Sequence, residues 1–295
     1  MSLFVQQHAT PSAFTSAPWV ILTPIEQRIK EKIEAVGTPL KDWDIQIYRG
    51  VLTGCNEAFI IDTAKRDEIL SNCQTEEERR QTEALIRPIL RGRDIKRYGY
   101  VDNGLYLINT HNGVKGKIPR IDINDYPAVK AHLDQYWDKI SVRADKGETP
   151  YNLRNCAYLE DFDKPKIIWK RVGSILRFSY VEKSCLALDS TCFATGVQLK
   201  YLCCILNSPM GHYLLKDSPK TGTGDLLISV QAITPLLIPF DNAYSKRLTS
   251  LLDMQLDEYN IASEKEINEI VFDLYSLSPE ERNYITRYFK SSSVQ

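Results

Sequence analysis

One short stretch of the chain has the residue types and spacing of a hydrolytic metal site. Asp94-Ile-Lys96 has the Asp/Glu-x-Lys pattern of metal-dependent nucleases, and Asp62 could supply the earlier acid. In such enzymes the carboxylates hold Mg²⁺ and the lysine steadies the attacking water. A tripeptide of this kind also arises by chance, and its alternative interpretation is a salt-linked turn. A metal-dependent nuclease using Asp62, Asp94 and Lys96 is kept as an alternative hypothesis, and no residue is assigned a catalytic or metal-binding role.

A second set of residues suits the binding of nucleic acid. Between Ile47 and Asp62, β-prone apolar residues flank Arg49-Gly50 and Thr53-Gly54-Cys55-Asn56. Glycine and asparagine tolerate positive φ, so the chain is expected to turn there and to present polar groups. From Arg87 to Tyr98, five cations are interleaved with apolar residues and with one acid, Asp94. This pattern indicates a basic edge on an apolar support.

Further cations and hydroxyl groups lie in predicted turns later in the chain. Duplex DNA is held by cations at its phosphates and is read by Arg, Lys, Asn, Gln, Ser or Thr side chains at the groove edges. For any single surface cation, a solvated charge or an internal ion pair is the alternative, as for Arg143 with Asp145 and for Arg154. The candidate DNA-binding residues are Arg49, Thr53, Asn56, Arg91, Arg93, Lys96, Arg97, Lys115, Lys117, Arg120, Lys170, Arg171, Lys220, Thr221 and Thr223. The expected structural turn residues are Gly50, Gly54 and Gly92.

The composition is that of an ordinary globular protein with an uneven charge. The 295 residues can bury a substantial core, and their hydrophobic content of 43% and charged content of 25% are unexceptional. The net charge of −1 speaks against a strongly basic nucleic-acid binder, yet ten acids against six bases follow Phe240 and leave the first part net positive. The seven cysteines form no Cys-x-x-Cys pair, and no stretch resembles a signal peptide or a membrane span. We therefore expect a cytoplasmic protein.

The elements that position these residues are predicted to form an α+β fold. A helix is predicted from Thr23-Pro24 to Gly37, because threonine is a good N-cap and proline suits the first helical position. Ala58 to Ile61 is expected to be a strand, and four short runs between Lys166 and Ala194 are expected to form an antiparallel meander. From Tyr244 the pattern is helical. We expect a mixed, largely antiparallel β recognition domain with peripheral helices and a C-terminal helical tail.

The ordered set of these segments resembles a known family. After the two turn segments come Arg143-Ala-Asp-Lys-Gly-Glu148, Tyr151-Asn-Leu-Arg154, Lys166-Ile-Ile-Trp169, Leu206-Asn-Ser208, Leu236-Leu-Ile-Pro239 and Glu269-Ile-Val-Phe-Asp-Leu-Tyr275. In this order and spacing they resemble the target-recognition domain of TaqI-like DNA adenine methyltransferases and of fused single-chain type II (IIG-like) restriction-modification enzymes. The likeness extends from Pro24 to Arg287, and its specificity lies in the ordered set rather than in any single piece.

The resemblance implies a part of a larger enzyme. It implies duplex DNA as the partner, and it implies upstream methyltransferase or nuclease domains that the recognition domain faces across a DNA-sized cleft. An amino-directed methyltransferase needs an Asn/Asp/Ser-Pro-Pro-aromatic motif and a glycine-rich turn after a strand, and this sequence has neither. S-adenosylmethionine and Mg²⁺ would therefore belong to the absent catalytic domains and not to this fragment. The family motif residues, which would mainly hold the frame, are Gly50, Thr53, Gly54, Arg91, Gly92, Asp94 and Arg97.

Three parts of the chain are predicted. Residues 1–18 are a leader that is flexible or derived from an expression vector, 19–240 are the target-recognition domain with its leading helix, and 241–295 are a C-terminal helical segment. If the leader is foreign, the chain starts in the middle of a longer natural protein. The main hypothesis is sequence-specific recognition of duplex DNA without a catalytic site of its own, in a parent restriction enzyme or site-specific DNA adenine methyltransferase. An alternative from another class is a protein-interaction module that uses the acidic helical tail.

Overall fold

Helices and short strands both occur throughout the described chain, which confirms the predicted α+β class. The structure is a computed structural model that describes residues 22–293, so the predicted leader at 1–18 lies outside the described residues. None of the helices in that range is both long enough and apolar enough to cross a bilayer. The strands are β1 (Thr38–Pro39), β2 (Ile45–Arg49), β3 (Ile60–Asp62), β4 (Ile86–Leu90), β5 (Leu105–Ile108), β6 (Lys166–Lys170), β7 (Val172–Gly173), β8 (Phe178–Val181), β9 (Leu186–Ala187), β10 (Thr191–Gly196), β11 (Leu226–Leu227) and β12 (Leu237–Ile238). The α-helices are α1 (Pro24–Val36), α2 (Asn56–Phe59), α3 (Thr63–Ser71), α4 (Glu76–Leu85), α5 (Pro127–Asp134), α6 (Trp137–Ile140), α7 (Leu199–Asn207), α8 (Pro209–Leu214), α9 (Val230–Ile233), α10 (Asn242–Asp257), α11 (Ile261–Leu274) and α12 (Pro279–Ser293). Short 3-10 turns lie at Leu40–Asp42, Gly92–Asp94, Ile123–Asp125 and Leu159–Asp163.

Two four-stranded sheets form the body of the protein. The first has the strand order β2-β10-β6-β8 and is antiparallel throughout. The second has the order β3-β5-β4-β9, and β9 is parallel to β4. The predicted meander is therefore wrong for β9, whose Leu186 lies opposite Ile89 of the second sheet. Leu186 and Ala187 are both fully buried, as is typical of a parallel strand covered on both faces.

The first sheet separates two apolar cores. Successive side chains of a strand point to opposite faces, and those of β6 and β10 do so here. Ile167 and Trp169 of β6 join the core beneath the C-terminal helices, together with Ala194 of β10. Ile168 and Phe193 point the other way and join the core shared with the second sheet. The first sheet therefore lies between two packed apolar layers, which hold the ends of its strands in place.

The C-terminal helices belong to the first of these cores. Helices α10 and α11 pack on α7, and α7 packs in turn on β6, β8 and β10. Leu248 and Ile267 are fully buried together with Leu202 of α7 in one cluster. The helical character predicted after Tyr244 is confirmed, and the domain boundary that we predict at residue 240 stays a prediction.

Local capping signals explain α1. The side-chain oxygen of Thr23 accepts a hydrogen bond from the N–H of Glu26, and the Glu26 carboxylate accepts one from the N–H of Thr23 at 2.9 Å. These two bonds form a capping box. At the other end the N–H of Gly37 donates to the carbonyl of Ile33 at 2.9 Å. The helix predicted between Thr23 and Gly37 is confirmed at both ends.

Candidate nucleic-acid interface

Three cationic turns meet at the turn between β9 and β10, Asp189-Ser190, which we call the junction turn. Arg49 at the end of β2 forms an ion pair with Asp189 at 3.2 Å. The N–H of Gly92 donates to the Ser190 hydroxyl at 3.2 Å, and the N–H of Arg171 donates to the Ser190 carbonyl at 3.0 Å. Segments that are far apart in sequence are thus fixed side by side.

Glycine is needed where the first of these turns approaches the junction turn. A Cβ atom at Gly50 would lie 2.1 Å from the carbonyl oxygen of Leu188, far inside van der Waals contact. The N–H of Gly50 uses this closeness to donate to the carbonyl of Thr191 at 3.0 Å. Gly54 has a φ of +66°, a left-handed conformation that glycine adopts without strain. Gly50 thus allows a close backbone approach just after β2, and Gly54 takes a left-handed conformation in the loop that follows.

Beyond Arg171 the chain pairs with a second cationic loop. Val172 and Gly173 of β7 pair with Leu227 and Leu226 of β11, and the N–H of Ile228 donates to the carbonyl of Arg171 at 2.8 Å. Leu226 also pairs across the loop with Lys220. We call Pro219–Leu227 the ribbon, because its two arms run antiparallel. The ribbon is therefore attached just beyond the end of β6, a central strand of the first sheet, beside Lys170 and Arg171.

At the opposite end a glycine-rich hairpin carries further cations. Val114 and Ile118 form a β-bridge, and Gly113 and Gly116 have φ values of +73° and +76°. One cleft is lined by this hairpin together with Asn155 and Cys156. A neighbouring cleft is lined by the same Asn155 and Cys156 together with Arg49 and Arg154. Asn155 and Cys156 therefore lie between the hairpin and Arg49, and Arg49 in turn contacts the junction turn through Asp189.

These contacts link the cation-bearing segments one to the next, and we call their cations the basic strip. It runs from the hairpin past Arg154 and Arg49, over the junction turn to Arg93 and Lys170, and out to the ribbon. Arg154 was not among the predicted contact residues, because its Arg/Asp neighbourhood in sequence favoured an internal ion pair. The cations of the basic strip are Lys115, Lys117, Arg120, Arg154, Arg49, Arg93, Lys170, Arg171 and Lys220.

The charge of the basic strip is only partly neutralised. Arg120 pairs with Glu148 at 3.0 Å, and Arg154 pairs with Asp145 at 2.8 Å. Exposed pairs of this kind contribute little to stability, so a phosphate can replace the carboxylate at small cost. The strip cations that form no ion pair with another residue of 22–293 are Lys115, Lys117, Arg93, Lys170, Arg171 and Lys220; of these, Arg171 is half-buried and the others are exposed.

Comparison with known proteins is consistent with this surface. Residues 87–228 match the TaqI-like C-terminal specificity domain. The match confirms, over that range, the resemblance inferred from the sequence. It includes the strip cations from Arg93 to Lys220, whereas Arg49 lies outside it. No curated protein matches the chain.

One solved restriction-modification enzyme has a similar fold, and a second aligns more weakly. The type IIL restriction-modification enzyme MmeI, determined in complex with DNA, aligns with a TM-score of 0.60 and 9% sequence identity over 88% of this chain and 37% of its own. The type IIG restriction endonuclease BpuSI aligns with a TM-score of 0.47 and 15% identity over 88% of this chain and 33% of its own. The likeness to MmeI shows a shared fold. This chain spans just over a third of the MmeI chain.

Within the TaqI-like segment, Arg91 and Asp94 form a salt-linked turn. The Asp94 carboxylate, 1% exposed, accepts hydrogen bonds from Nε and Nη2 of Arg91, both at 3.0 Å, and from the side-chain amide of Asn103 at 2.8 Å. Burial alone would raise the pKa of Asp94, but these bonds hold it below its usual value. Asp62, the other acid of the alternative nuclease site, caps α3 by accepting from the N–H of Lys65 at 2.8 Å. Among residues 22–293 no three His, Cys, Asp or Glu side chains are grouped so as to hold a metal ion.

Arg97 and Lys96 of the same segment behave differently from each other. The Arg97 guanidinium forms an ion pair with Glu264 of α11 and donates to the carbonyl of Asn207 at 2.6 Å. Lys96 is exposed, and its N–H donates to the hydroxyl of Ser179 in β8 at 3.1 Å. The Arg97 guanidinium is thus used in contacts within the protein, whereas the Lys96 ammonium forms no ion pair with another described residue.

The first turn segment also contains one inward-facing candidate. Thr53 is 2% exposed, its hydroxyl donates to the side chain of Asn56 at 2.5 Å, and its carbonyl accepts a hydrogen bond from Arg143. Arg143 is itself buried and also donates to the carbonyls of Pro150 and Asn152, at 3.0 and 2.6 Å. Burial lowers the pKa of Arg143 to about 10. Instead of an ion pair with Asp145, Arg143 makes a set of carbonyl contacts that holds the loops behind the basic strip, while Asn56 remains exposed.

Proposed function

We propose that this chain recognises a specific sequence of duplex DNA as the specificity part of a restriction-modification polypeptide. The observation that carries the proposal is the convergence of three cationic turns on the junction turn Asp189-Ser190, which aligns the basic strip. The match of residues 87–228 to a specificity domain supports a role in DNA recognition.

The basic strip would hold the DNA backbone. Phosphate contacts supply most of the salt-dependent affinity of a DNA-binding protein, and they need unpaired cations along a line. Lys115, Lys117, Arg93, Lys170 and Lys220 meet that need, because each is exposed and forms no ion pair with another residue of 22–293. Arg49, Arg120 and Arg154 would exchange their surface carboxylates for phosphates.

Chemistry on the DNA would come from other parts of the parent protein. In this proposal the parent is a type II restriction enzyme or a site-specific DNA adenine methyltransferase. S-adenosylmethionine and Mg²⁺ would be bound by its methyltransferase and nuclease domains. The salt-linked state of Asp94, whose carboxylate is bonded to Arg91 and Asn103, supports the view that the recognition domain contributes binding and not hydrolysis.

A selection from a randomised duplex library tests the proposal directly. The purified chain is incubated with the library at low salt, bound duplexes are sequenced, and the best duplex is titrated against salt. We expect a short enriched motif and an affinity that falls steeply as salt rises. Absence of binding, with a mass that rises with protein concentration, would instead favour the protein-interaction module.

A charge-removal variant assigns the binding to the basic strip. Lys115, Lys117, Lys170 and Lys220 are replaced together by alanine, and the control replaces the equally exposed Lys41, Lys246 and Lys265. Each lost phosphate contact lowers the slope of log affinity against log salt by about 0.9. We expect the strip variant to lose a slope of up to about 3.6 and the control to bind as the wild type does. Equal binding by both variants would rule out the strip as the DNA surface.

A further inference from the structure

We propose that the ribbon Pro219–Leu227 enters the major groove and that Asp225 reads an exocyclic amino group there, N4 of cytosine or N6 of adenine. This inference rests on the proposed function and deepens it. The cations of the basic strip bind phosphates, which carry no sequence information, so specificity must come from groups of another kind.

The shape of the ribbon fits a groove. Its arms are closed by hydrogen bonds from the N–H of Thr221 to the carbonyl of Asp225 at 2.8 Å and from the N–H of Leu227 to the carbonyl of Pro219 at 2.7 Å. The major groove of B-DNA is wide enough to admit a two-stranded ribbon. No other part of the described chain lies within 4 Å of a Cβ atom placed on Gly222 or Gly224, so the tip is free of the protein body. Glycine at these positions leaves the tip narrow.

The ribbon carries an ordered row of polar groups. The hydroxyls of Thr221 and Thr223 lie 2.8 Å apart, and the Thr223 hydroxyl donates to Oδ2 of Asp225 at 3.1 Å. This chain of bonds orients the carboxylate and leaves Oδ1 without a hydrogen bond from another described residue. Asp225 therefore presents one fixed acceptor beside the tip.

The charge of Asp225 selects what it can contact. The carboxylate of Asp225, in the same ribbon as Lys220, would be repelled by the phosphates of a bound duplex, and it accepts hydrogen bonds but donates none. In the major groove only cytosine N4 and adenine N6 offer donors, whereas guanine and thymine present acceptors at the equivalent positions. The contact therefore admits a base with an amino group and rejects the others.

The alternative role for Asp225 is to hold the turn through Thr223. Two substitutions separate the roles. Asp225→Asn keeps the shape and the bond from Thr223 but changes the carboxylate into an amide, whose bidentate partner is adenine. Asp225→Ala removes both functions. Asp217→Asn, an 80% exposed acid just before the ribbon, is the matched control for the loss of one negative charge.

The experiment repeats the duplex selection with the wild type and these three variants. We expect one motif position, cytosine or adenine in the wild type, to lose its preference by about tenfold or more in Asp225→Ala, with the other positions and the salt slope unchanged. In Asp225→Asn that position is expected to shift toward adenine, or to stay adenine if it already was. The control is expected to select the wild-type motif.

The outcomes separate this proposal from the proposed function. A wild-type motif that both Asp225 variants reproduce at every position would overturn the reading role and leave DNA recognition intact. Failure of the wild type to enrich any motif would overturn both. Loss of the whole motif in Asp225→Ala, with the motif unchanged in Asp225→Asn, would show a turn-holding role and also overturn the inference.

Discussion

Arg97 forms an ion pair with Glu264, a carboxylate of α11 that is itself nearly buried. The Tyr259 hydroxyl donates to the other oxygen of Glu264, and Arg97 also donates to the carbonyl of Asn207. Arg97 thereby connects the cationic segment 87–98 to α11, through Glu264, and to α7, through Asn207. Arg97, which the sequence offers both as a candidate DNA contact and as a residue that holds the frame, connects this segment to the C-terminal helices.

Removing this brace is expected to reduce stability rather than DNA affinity. Arg97→Ala leaves Glu264 buried without its cation, and we expect the free energy of unfolding to fall by about 2 kcal/mol. Urea denaturation measures the loss, and Arg287→Ala, an exposed arginine of α12 without an ion pair in the described chain, serves as the control. A variant with wild-type stability and weakened DNA binding would make Arg97 a contact residue after all.

Gly50→Ala is expected to disrupt the junction turn. The new methyl group would lie 2.1 Å from the backbone oxygen of Leu188, so one of the two segments must move. Overpacking against backbone costs about 3 kcal/mol. Thermal unfolding measures the cost. Gly99→Ala is the control, because a Cβ there meets only a side-chain atom of Leu256 at an ordinary 3.6 Å. Similar melting temperatures for the two variants would contradict the close approach.

His212 is expected to make the stability of the protein depend on pH. Its ring is buried in the first core, and this burial, with the nearby charge of Arg97, lowers its pKa from 6.5 to about 4. The unfolded chain therefore takes up a proton at a higher pH than the folded chain does, and stability is lost as pH falls from about 6.5 towards 4.

The size of this loss is measurable. A difference of this order corresponds to roughly 2–3 kcal/mol between pH 7 and pH 4. His132 and His111 also have lowered pKa values and add to the wild-type slope, so the wild type is compared with His212→Gln. We expect a shallower pH dependence of urea unfolding in the variant. If the free energy of unfolding falls equally with pH in the wild type and in His212→Gln, His212 does not contribute to the pH dependence.

Asp94→Asn and Asp62→Asn distinguish the salt-linked turn from the nuclease hypothesis. Asp94→Asn removes the partner of Arg91 and is expected to lower the free energy of unfolding by about 2 kcal/mol. Asp62→Asn keeps a good N-cap for α3 and is expected to be nearly neutral. If instead both variants are stable and both lose Mg²⁺-dependent nicking of DNA, the two acids form a catalytic site.

Features encoded by neighbouring residues could be predicted from the sequence. The capping box of α1, the strands β6 and β10 and the helices after Tyr244 all follow from local pattern. Ala58 to Ile61 shows the limit, because Ala58 and Phe59 end the helical turn α2 and only Ile60 and Ile61 belong to a strand. Both residue types suit either structure, and burial against the second sheet decides between them.

Partners that are distant in sequence could not be predicted. A meander between Lys166 and Ala194 implies turns between its runs, but the bonds of the Asp189-Ser190 turn to Gly92 and Arg171 depend on the tertiary arrangement of two sheets. The sequence shows which residues of the basic strip are cations, but it does not show that their segments are neighbours in the fold. The ion pair of Arg97 could not be predicted either. Arg97 follows the cations Arg93 and Lys96 in the sequence, whereas its partner Glu264 lies in the acidic tail.

The pairing of β2 with β10 limits how short a stably folded fragment of this protein can be. The matched segment 87–228 contains β10 but not β2, which pairs with five of its residues from Cys192 to Gly196. Without β2, the excised segment would have an unpaired edge at β10. Without α10 and α11, the apolar face of α7 would be exposed, and both changes favour aggregation. A fragment prepared for separate study should therefore keep the scaffold from α1 through α11 as a whole.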